Sequence, residues 1–257
     1  MNSTINDLKA ALSLQREIVG IKFLYSESNY IACKIKPVKD KLSYCKMISL
    51  ASKGFAFKVD LEHSACEGAI NALGMKSFSN ETIQGQSYYN LGMYNNIGVA
   101  KKTQNTVAVM RGQIYGVSAM PLASYTEHPD VVLIFTTPYS VMRIIQGYTY
   151  HYGVTKNIMF SGNQGVCLEC TANPFETQDI NVSALCSNTR FLAQWCDDEM
   201  GIGIPYSMFE KVVDGVIKTL NSSETDERKL EVEKNCSELG CEFPIIYGEN
   251  YYLKKSI

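Results

Sequence analysis

Apolar residues at positions 8, 11 and 12 recur at helical spacing, so the chain is expected to open with a helix over about Asn6 to Glu17, followed by a strand in GIKFLYS, residues 20–26. A polar connector carrying Pro37 follows. Ser43 is a natural N-cap for a helix to about Lys53, and Gly54 a natural stop. Phe55, Phe57 and Val59 alternate with smaller or polar residues and predict a strand. Ser64 and Glu67 have the S-x-x-E spacing of a capping box, with Gly74 closing the helix they begin. From Gln84 to Gly98 the density of Gly, Asn and Tyr reads as an irregular surface region.

Further on, YGVSAMPL (115–122) and DVVLIFTTP (130–138) read as strands. The uninterrupted run Val131, Val132, Leu133, Ile134, Phe135 suits a strand buried on both faces. It leads through Pro138 into a helix to about Tyr150 and then to NIMFSG (157–162), an order that predicts a right-handed β-α-β unit. Another strand is expected near INVSAL (180–185). A late helix over 207–220 puts Met208, Val212, Val213, Val216 and Leu220 on one broad apolar face. The predicted class is therefore α/β (mixed α+β), with a partly parallel central sheet and flanking helices. Residues 1–220 read as one compact domain or two packed lobes. At 221–237 the composition turns charged, predicting a linker or solvated helix within a C-terminal extension, 221–257, that ends in a short strand or tail, FPIIYGENYYL (243–253).

Composition narrows the class of function. Hydrophobic residues make up 46% of the 257 positions, enough for a substantial core. Lys plus Arg number 24 against 26 Asp plus Glu, and the net charge of -2 gives no electrostatic reason to expect nucleic acid or an anionic membrane. The first twenty residues lack the basic start and apolar run of a signal peptide, and no segment has the length of a membrane span, so a cytoplasmic location is expected.

Nine cysteines stand at 33, 45, 66, 167, 170, 186, 196, 236 and 241. In a reducing compartment they act as packing residues, metal ligands or reactive thiols rather than as a disulfide framework. With Ser43 and Ser64 as N-caps, Cys45 and Cys66 each fall at the second position of a helix, where free amides and the macrodipole favour a thiolate. Cys167 and Cys170 form a C-x-x-C pair after the NIMFSG strand, and Cys186 sits at a strand-to-helix junction before Ser187 and Asn188. A single C-x-x-C is a weak metal signal, and neither a second pair nor a ferredoxin-type run accompanies it.

Tyr44-Cys45 before an apolar helix, Cys66 with Gly68 and Leu73-Gly74, the PDVVLIF strand, Phe160-Ser161-Gly162 leading to Cys167, and Asn181-Val182-Ser183 leading to Cys186 and Arg190 together carry a resemblance. Over roughly residues 8–220 the chain resembles the uncharacterised family called domain of unknown function 169. The resemblance implies that Cys45, Cys66, Cys167 and Cys186 are the recurring cysteines, whereas Cys33, Cys170, Cys196, Cys236 and Cys241 belong to this chain. Glu169 stands where family members carry Asp.

Four recurring thiols suggest an iron–sulfur cluster, of the 4Fe-4S type first, held by Cys45, Cys66, Cys167 and Cys186 with Arg190 beside it and Cys170 as an extra ligand; zinc is the alternative. Such a protein would serve electron transfer, redox catalysis or cofactor handling, with a redox partner protein and a homodimer among its expected partners. Two other readings stand beside it: a non-catalytic metal or small-molecule module using strand ends near Thr136, Ser161 and Cys167, and a thiol enzyme with Cys45 or Cys66 as nucleophile. His63, His128 and His151 read as surface or hydrogen-bonded residues, and Asp197-Asp198-Glu199 as an exposed acidic turn. Tyr88, Tyr89, Tyr94, Tyr148, Tyr150 and Tyr152 read as core and rim material. No glycine fingerprint for a dinucleotide or a P-loop phosphate occurs.

Overall fold

The structure, a computed structural model, describes residues 2–107 and 110–251. The chain runs α1 (Asn2–Leu12), β1 (Val19–Leu24), α2 (Glu27–Ala32), α3 (Tyr44–Ala51), β2 (Phe57–Asp60), α4 (Glu67–Ala72), α5 (Asn80–Ile83), α6 (Gln86–Asn90) and α7 (Ile97–Val107). It continues through β3 (Gly116–Pro121), β4 (Val131–Thr136), α8 (Pro138–Tyr152), a π-helix (Gly165–Ala172), α9 (Asn173–Thr177), β5 (Asn181–Ser183), α10 (Ser187–Ala193), β6 (Met200–Pro205), α11 (Tyr206–Ser223) and α12 (Asp226–Leu239). Local signals set several of these. The Ser43 hydroxyl accepts from the Lys46 amide at 3.3 Å to start α3, and Thr137 caps α8 with Pro138 in its first turn.

The six strands form one sheet in the order β2-β3-β1-β4-β6-β5, and every neighbouring pair is antiparallel. The fold is mixed α+β with an antiparallel sheet, which corrects the expected partly parallel one. The unbroken run in β4 reports burial on both faces, and that burial comes from helices on each side whatever direction the neighbours take. Val131, Leu133 and Phe135 join one core, and Val132 and Ile134 the other.

The expected β-α-β unit is also absent, because NIMFSG is not a strand. Side chains hold its backbone: Asn181 accepts from the Met159 amide at 2.6 Å and donates to the Met159 carbonyl at 3.1 Å, Asn173 donates to the Asn157 carbonyl, and Glu169 accepts from the Ser161 and Gly162 amides, standing in for a neighbouring strand. From there the chain enters the π-helix and returns by β5, antiparallel to β6. β6 itself was hidden from pattern reading by its glycines. Ile202 and Ile204 face one core, while a Cβ on Gly203 would lie 1.8 Å from the Cys170 carbonyl oxygen and one on Gly201 2.7 Å from the Cys170 sulfur. The alternation of glycine and isoleucine lets the π-helix lie flush on the sheet.

On the opposite face α1, α8, α11 and α12 cover the sheet. α8 and α11 touch where a Cβ on Gly215 would meet the Gly147 carbonyl at 2.0 Å. Arg143, fully buried, donates to Glu224 at 2.7 Å and to the Val216 carbonyl at 3.1 Å. Residues 226–239 form α12, which is held to α1 by Asn235 donating to the Ala10 carbonyl and by Asn6 donating to that of Leu239. Residues 243–251 carry no strand; Tyr252 and Leu253 lie outside the described residues. The segment 84–98, expected to be irregular, contains α6 and the start of α7. No helix among the described residues is long and apolar enough to cross a membrane.

Candidate functional site

Cys45 occupies the second position of α3 as its Ser43 cap predicts. Cys66 does not sit inside α4: it is the N-cap residue itself, with φ -127° and ψ 107°. The Ser64–Glu67 capping box fails because Ser64 forms a bridge with Leu42, whose amide donates to the His63 carbonyl and whose carbonyl accepts from the Ala65 amide. That bridge brings the Cys66 segment alongside the approach to α3. Cys167 lies in the π-helix, and Cys186 is the N-cap residue of α10. Gly165 permits that last approach, since a Cβ there would fall 2.7 Å from the Leu185 Cα and 2.9 Å from the Cys186 amide nitrogen.

These four cysteines, from four separate segments, line one cavity of about 350 Å³. Glu67, Tyr88, Met93, Gln104, Asn163 and Gln164 contribute to its wall. Cys45 and Cys167 are buried, whereas Cys66 and Cys186 are partly open. The Thr189 hydroxyl lies between two of them, 3.1 Å from the Cys186 sulfur and 3.3 Å from that of Cys45. The Tyr44 hydroxyl joins α3 to the π-helix through Thr171 at 3.0 Å.

The thiols do not share one acidity. The Cys45 S–H donates to Cys186, so this hydrogen bond, reinforced by burial and by the charge at Cys167, pushes the Cys45 pKa well up. The same bond, with help from Thr189 and the amide of Gly165 against an opposing cost of burial, brings Cys186 down to about 5. Burial, then the charges of Cys66 and Cys186, raise Cys167. The helix start was expected to acidify Cys45; a macrodipole contribution of up to about 2 kcal/mol is outweighed by desolvation and by neighbouring thiols. The acidified thiol is Cys186, which sequence reasoning had not singled out as a nucleophile.

The remaining expected residues separate. Cys170 is buried but turns to the sheet, against Gly201, and is absent from the cavity wall, so the C-x-x-C pair splits between two surfaces. Arg190 also stays out of the wall; its guanidinium donates to the carbonyls of Ala184, Cys196 and Glu199 and ties α10 to the following turn. Glu169 is fully buried and accepts from the Ser161 amide and hydroxyl, the Gly162 amide and Ser183, pinning the loop before the π-helix to β5. Thr136 and Cys167, expected to share a pocket with Ser161, line different cavities. Thr136, at the end of β4, lies in a cleft with Arg16 and Glu199, whereas Cys167 is carried by the π-helix and Ser161 by the loop before it. Glu199 leaves the acidic turn to pair with Arg16, whose guanidinium also lies 4.5 Å over Trp195.

His63 bonds Asp60 at 2.7 Å, His151 bonds Asp214 at 2.9 Å, and His128 packs on Tyr206; none lines the thiol cavity. Among the described residues no group of three or more His, Cys, Asp or Glu side chains is set to hold a metal ion. The residues that pattern reading missed are Gln104, Gln164 and Thr189. Their chemistry is ordinary, and the only sequence signal was that Thr189 stands three residues after Cys186.

An uncharacterised protein of Methanocaldococcus jannaschii is 23% identical to this chain over 211 residues, which cover 81% of this chain and 90% of that protein. No solved structure matches this chain. The family model described as uncharacterised ArCR, domain of unknown function 169, matches residues 7–215, a span that includes all four cavity cysteines. The chain belongs to the uncharacterised ArCR family, domain of unknown function 169.

Proposed function

We propose that the protein binds an iron–sulfur cluster through Cys45, Cys66, Cys167 and Cys186 and serves a redox, electron-transfer or cofactor-handling role. The observation that carries this reading is that four thiols from four distant segments line a single cavity of about 350 Å³. Thiolate is the soft ligand that iron–sulfur cores take, and four is the number they need. A zinc ion would require its four sulfurs within about 4 Å of one another, given tetrahedral bonds of about 2.3 Å. Cys45 and Cys186 stand within hydrogen-bond reach of each other, and among the described residues no group of three or more His, Cys, Asp or Glu side chains is set for a metal ion, so the shared cavity lining alone supports the reading and the sulfurs would have to move apart to take a cluster.

The hydrogen bond to Cys186 and then burial raise Cys45, and burial with neighbouring thiols raises Cys167, so a core bound there would have to displace their protons. When bound, the cluster supplies one-electron redox chemistry or a Lewis-acidic iron. The protein's own part is to fix the four sulfurs, with Thr189 bridging two of them and Glu169 anchoring the loop that leads to Cys167. Anaerobic reconstitution with ferrous iron and sulfide tests the reading. It should yield about four iron and four sulfide per chain, lost in Cys→Ser variants at the four positions and retained in Cys170→Ser. Protein that takes up no iron under those conditions overturns it.

A second reading is favoured by the placement of Cys186, partly open in the cavity wall with the Thr189 hydroxyl 3.1 Å from its sulfur, an arrangement that agrees with a pKa brought down to about 5. In it, Cys186 is a nucleophile, with Cys45 and Thr189 holding its thiolate. Selective alkylation of Cys186 at pH 6 would support it; labelling that spreads evenly over the partly open cysteines would dismiss it.

A further inference from the structure

Six buried side-chain polar atoms have no hydrogen-bond partner among the described residues, and three of them belong to residues lining the thiol cavity: the Tyr88 hydroxyl, Gln104 Nε2 and Gln164 Oε1. Gln104 is 2% exposed and Tyr88 7%, Gln164 is partly buried, and all three atoms are closed to water, so a ligand reaches them only as these side chains turn toward the cavity that they line. Buried polar groups are nearly always paired, and a concentration of unpaired ones in one cavity marks the outline of something that binds there.

The three atoms describe what would pair with them. Gln104 Nε2 and the Tyr88 hydroxyl offer donors, and Gln164 Oε1 is an acceptor. The wall contains no Lys, Arg or His, and its one carboxylate is Glu67, so an anion would find no counter-charge. Phe78, Leu91 and Met93 supply an apolar part to the same wall. A cluster cannot account for the whole set. Its sulfides and thiolates accept hydrogen bonds, which would serve Gln104 and Tyr88 but leave the Gln164 oxygen without a donor.

We propose that the cavity binds a small uncharged amide or lactam, its carbonyl accepting from Gln104 and Tyr88 and its N–H donating to Gln164. This shares a cavity with the proposed function and names a substrate class for it, but it rests on these three atoms and holds for the metal-free protein as well.

The test is ligand-observed NMR on the full chain, metal-free and after iron–sulfide reconstitution, using benzamide, nicotinamide and butyrolactam, with benzoate and nicotinate as matched anions. At least one neutral amide should bind both forms, and its carboxylate counterpart about tenfold more weakly. Tyr88→Phe, which keeps the ring stacked 5.4 Å from Tyr94, and Gln104→Met should each weaken amide binding by about fivefold or more. Without ligand both variants should melt at or above the wild-type temperature, because each deletes an unpaired buried group.

No binding of any of the three amides at millimolar concentration overturns the inference, as does equal binding of the carboxylates or amide binding unchanged in both variants. A lower melting temperature in both variants also counts against it, since it would mean that these atoms are paired within the protein. Iron content, measured on the same samples, reports separately on the cluster. Amide binding to protein that takes up no iron leaves this inference standing and removes the other, and iron uptake without amide binding does the reverse.

Discussion

The two faces of β4 are built on different principles. On the face of Val132 and Ile134, long regular helices pack by apolar stripes, two glycines bring α8 and α11 into contact, and the buried Arg143 donates to Glu224, Gln146, Thr219 and the Val216 carbonyl. On the face of Val131, Leu133 and Phe135 the covering is short and irregular: a π-helix, two cysteine N-caps and a loop held by Glu169. Non-glycine residues in left-handed conformation show the same division. Gln164, Gln178, Leu185 and Gln194 flank elements of the thiol face, and Ser13 alone lies on the helical side. Strained backbone and unpaired polar atoms gather where the thiols are, and regular packing where they are not. One face supplies stability, and the other spends part of it on a site.

The largest effect should come from the helical face. Arg143→Ala leaves the buried Glu224 without its charge partner, held by the Tyr139 hydroxyl, and should cost about 3–5 kcal/mol in chemical denaturation. The residual folded protein should still label at Cys186 as wild type does; altered labelling would mean the faces are coupled. On the thiol face, Gly203→Ala drives a methyl into the Cys170 carbonyl and should cost about 1–3 kcal/mol or more by overpacking, and it should disturb Cys186 labelling as well. A Gly203→Ala protein with normal stability would break the account of why β6 alternates glycine and isoleucine.

A smaller effect concerns protons. In metal-free protein the Cys186 pKa is brought below its ordinary value, so its stabilisation is fully present above the ordinary thiol range and is lost as pH falls through about 5. Cys45 runs the other way: its pKa is raised, and its contribution is present below the ordinary thiol range and lost as pH rises through its elevated folded value. The wild type should therefore gain stability relative to Cys186→Ala from pH 5 toward the ordinary thiol range. In Cys45→Ala the midpoint of Cys186 alkylation should move upward from about pH 5, and a midpoint that stays in place would remove Cys45 as the donor. The smallest change is Ile204→Val, expected to cost about 0.5–1.5 kcal/mol with no change at Cys186.

Much of the fold was legible because its signals are short-range. Ser43, Thr137-Pro138 and the β4 run announced α3, α8 and a strand buried on both faces, each from contacts within a few residues. The capping box at Ser64 misled because its serine was claimed by a bridge to Leu42, a segment twenty residues away. β6 was invisible because two of its six residues are glycine, and NIMFSG looked like a strand because backbone paired to side chains has the same composition as backbone paired to a strand. At the site, four cysteine positions could be nominated, but Gln104, Gln164 and Tyr88 could not, since an unpaired polar atom is defined only by what surrounds it.

By itself the sequence determined the existence of most elements, the two-sided burial of β4 and the set of cysteines with local support for reactivity. Tertiary structure alone decided that the sheet is antiparallel, that Cys170 turns away while Cys167 faces the cavity, and that Cys186 rather than Cys45 is acidified. The reason is range. Caps and periodicity are settled by neighbours along the chain, whereas strand direction, cavity walls and thiol acidity depend on which distant backbone is allowed to approach, as Gly203 allows the Cys170 carbonyl to do.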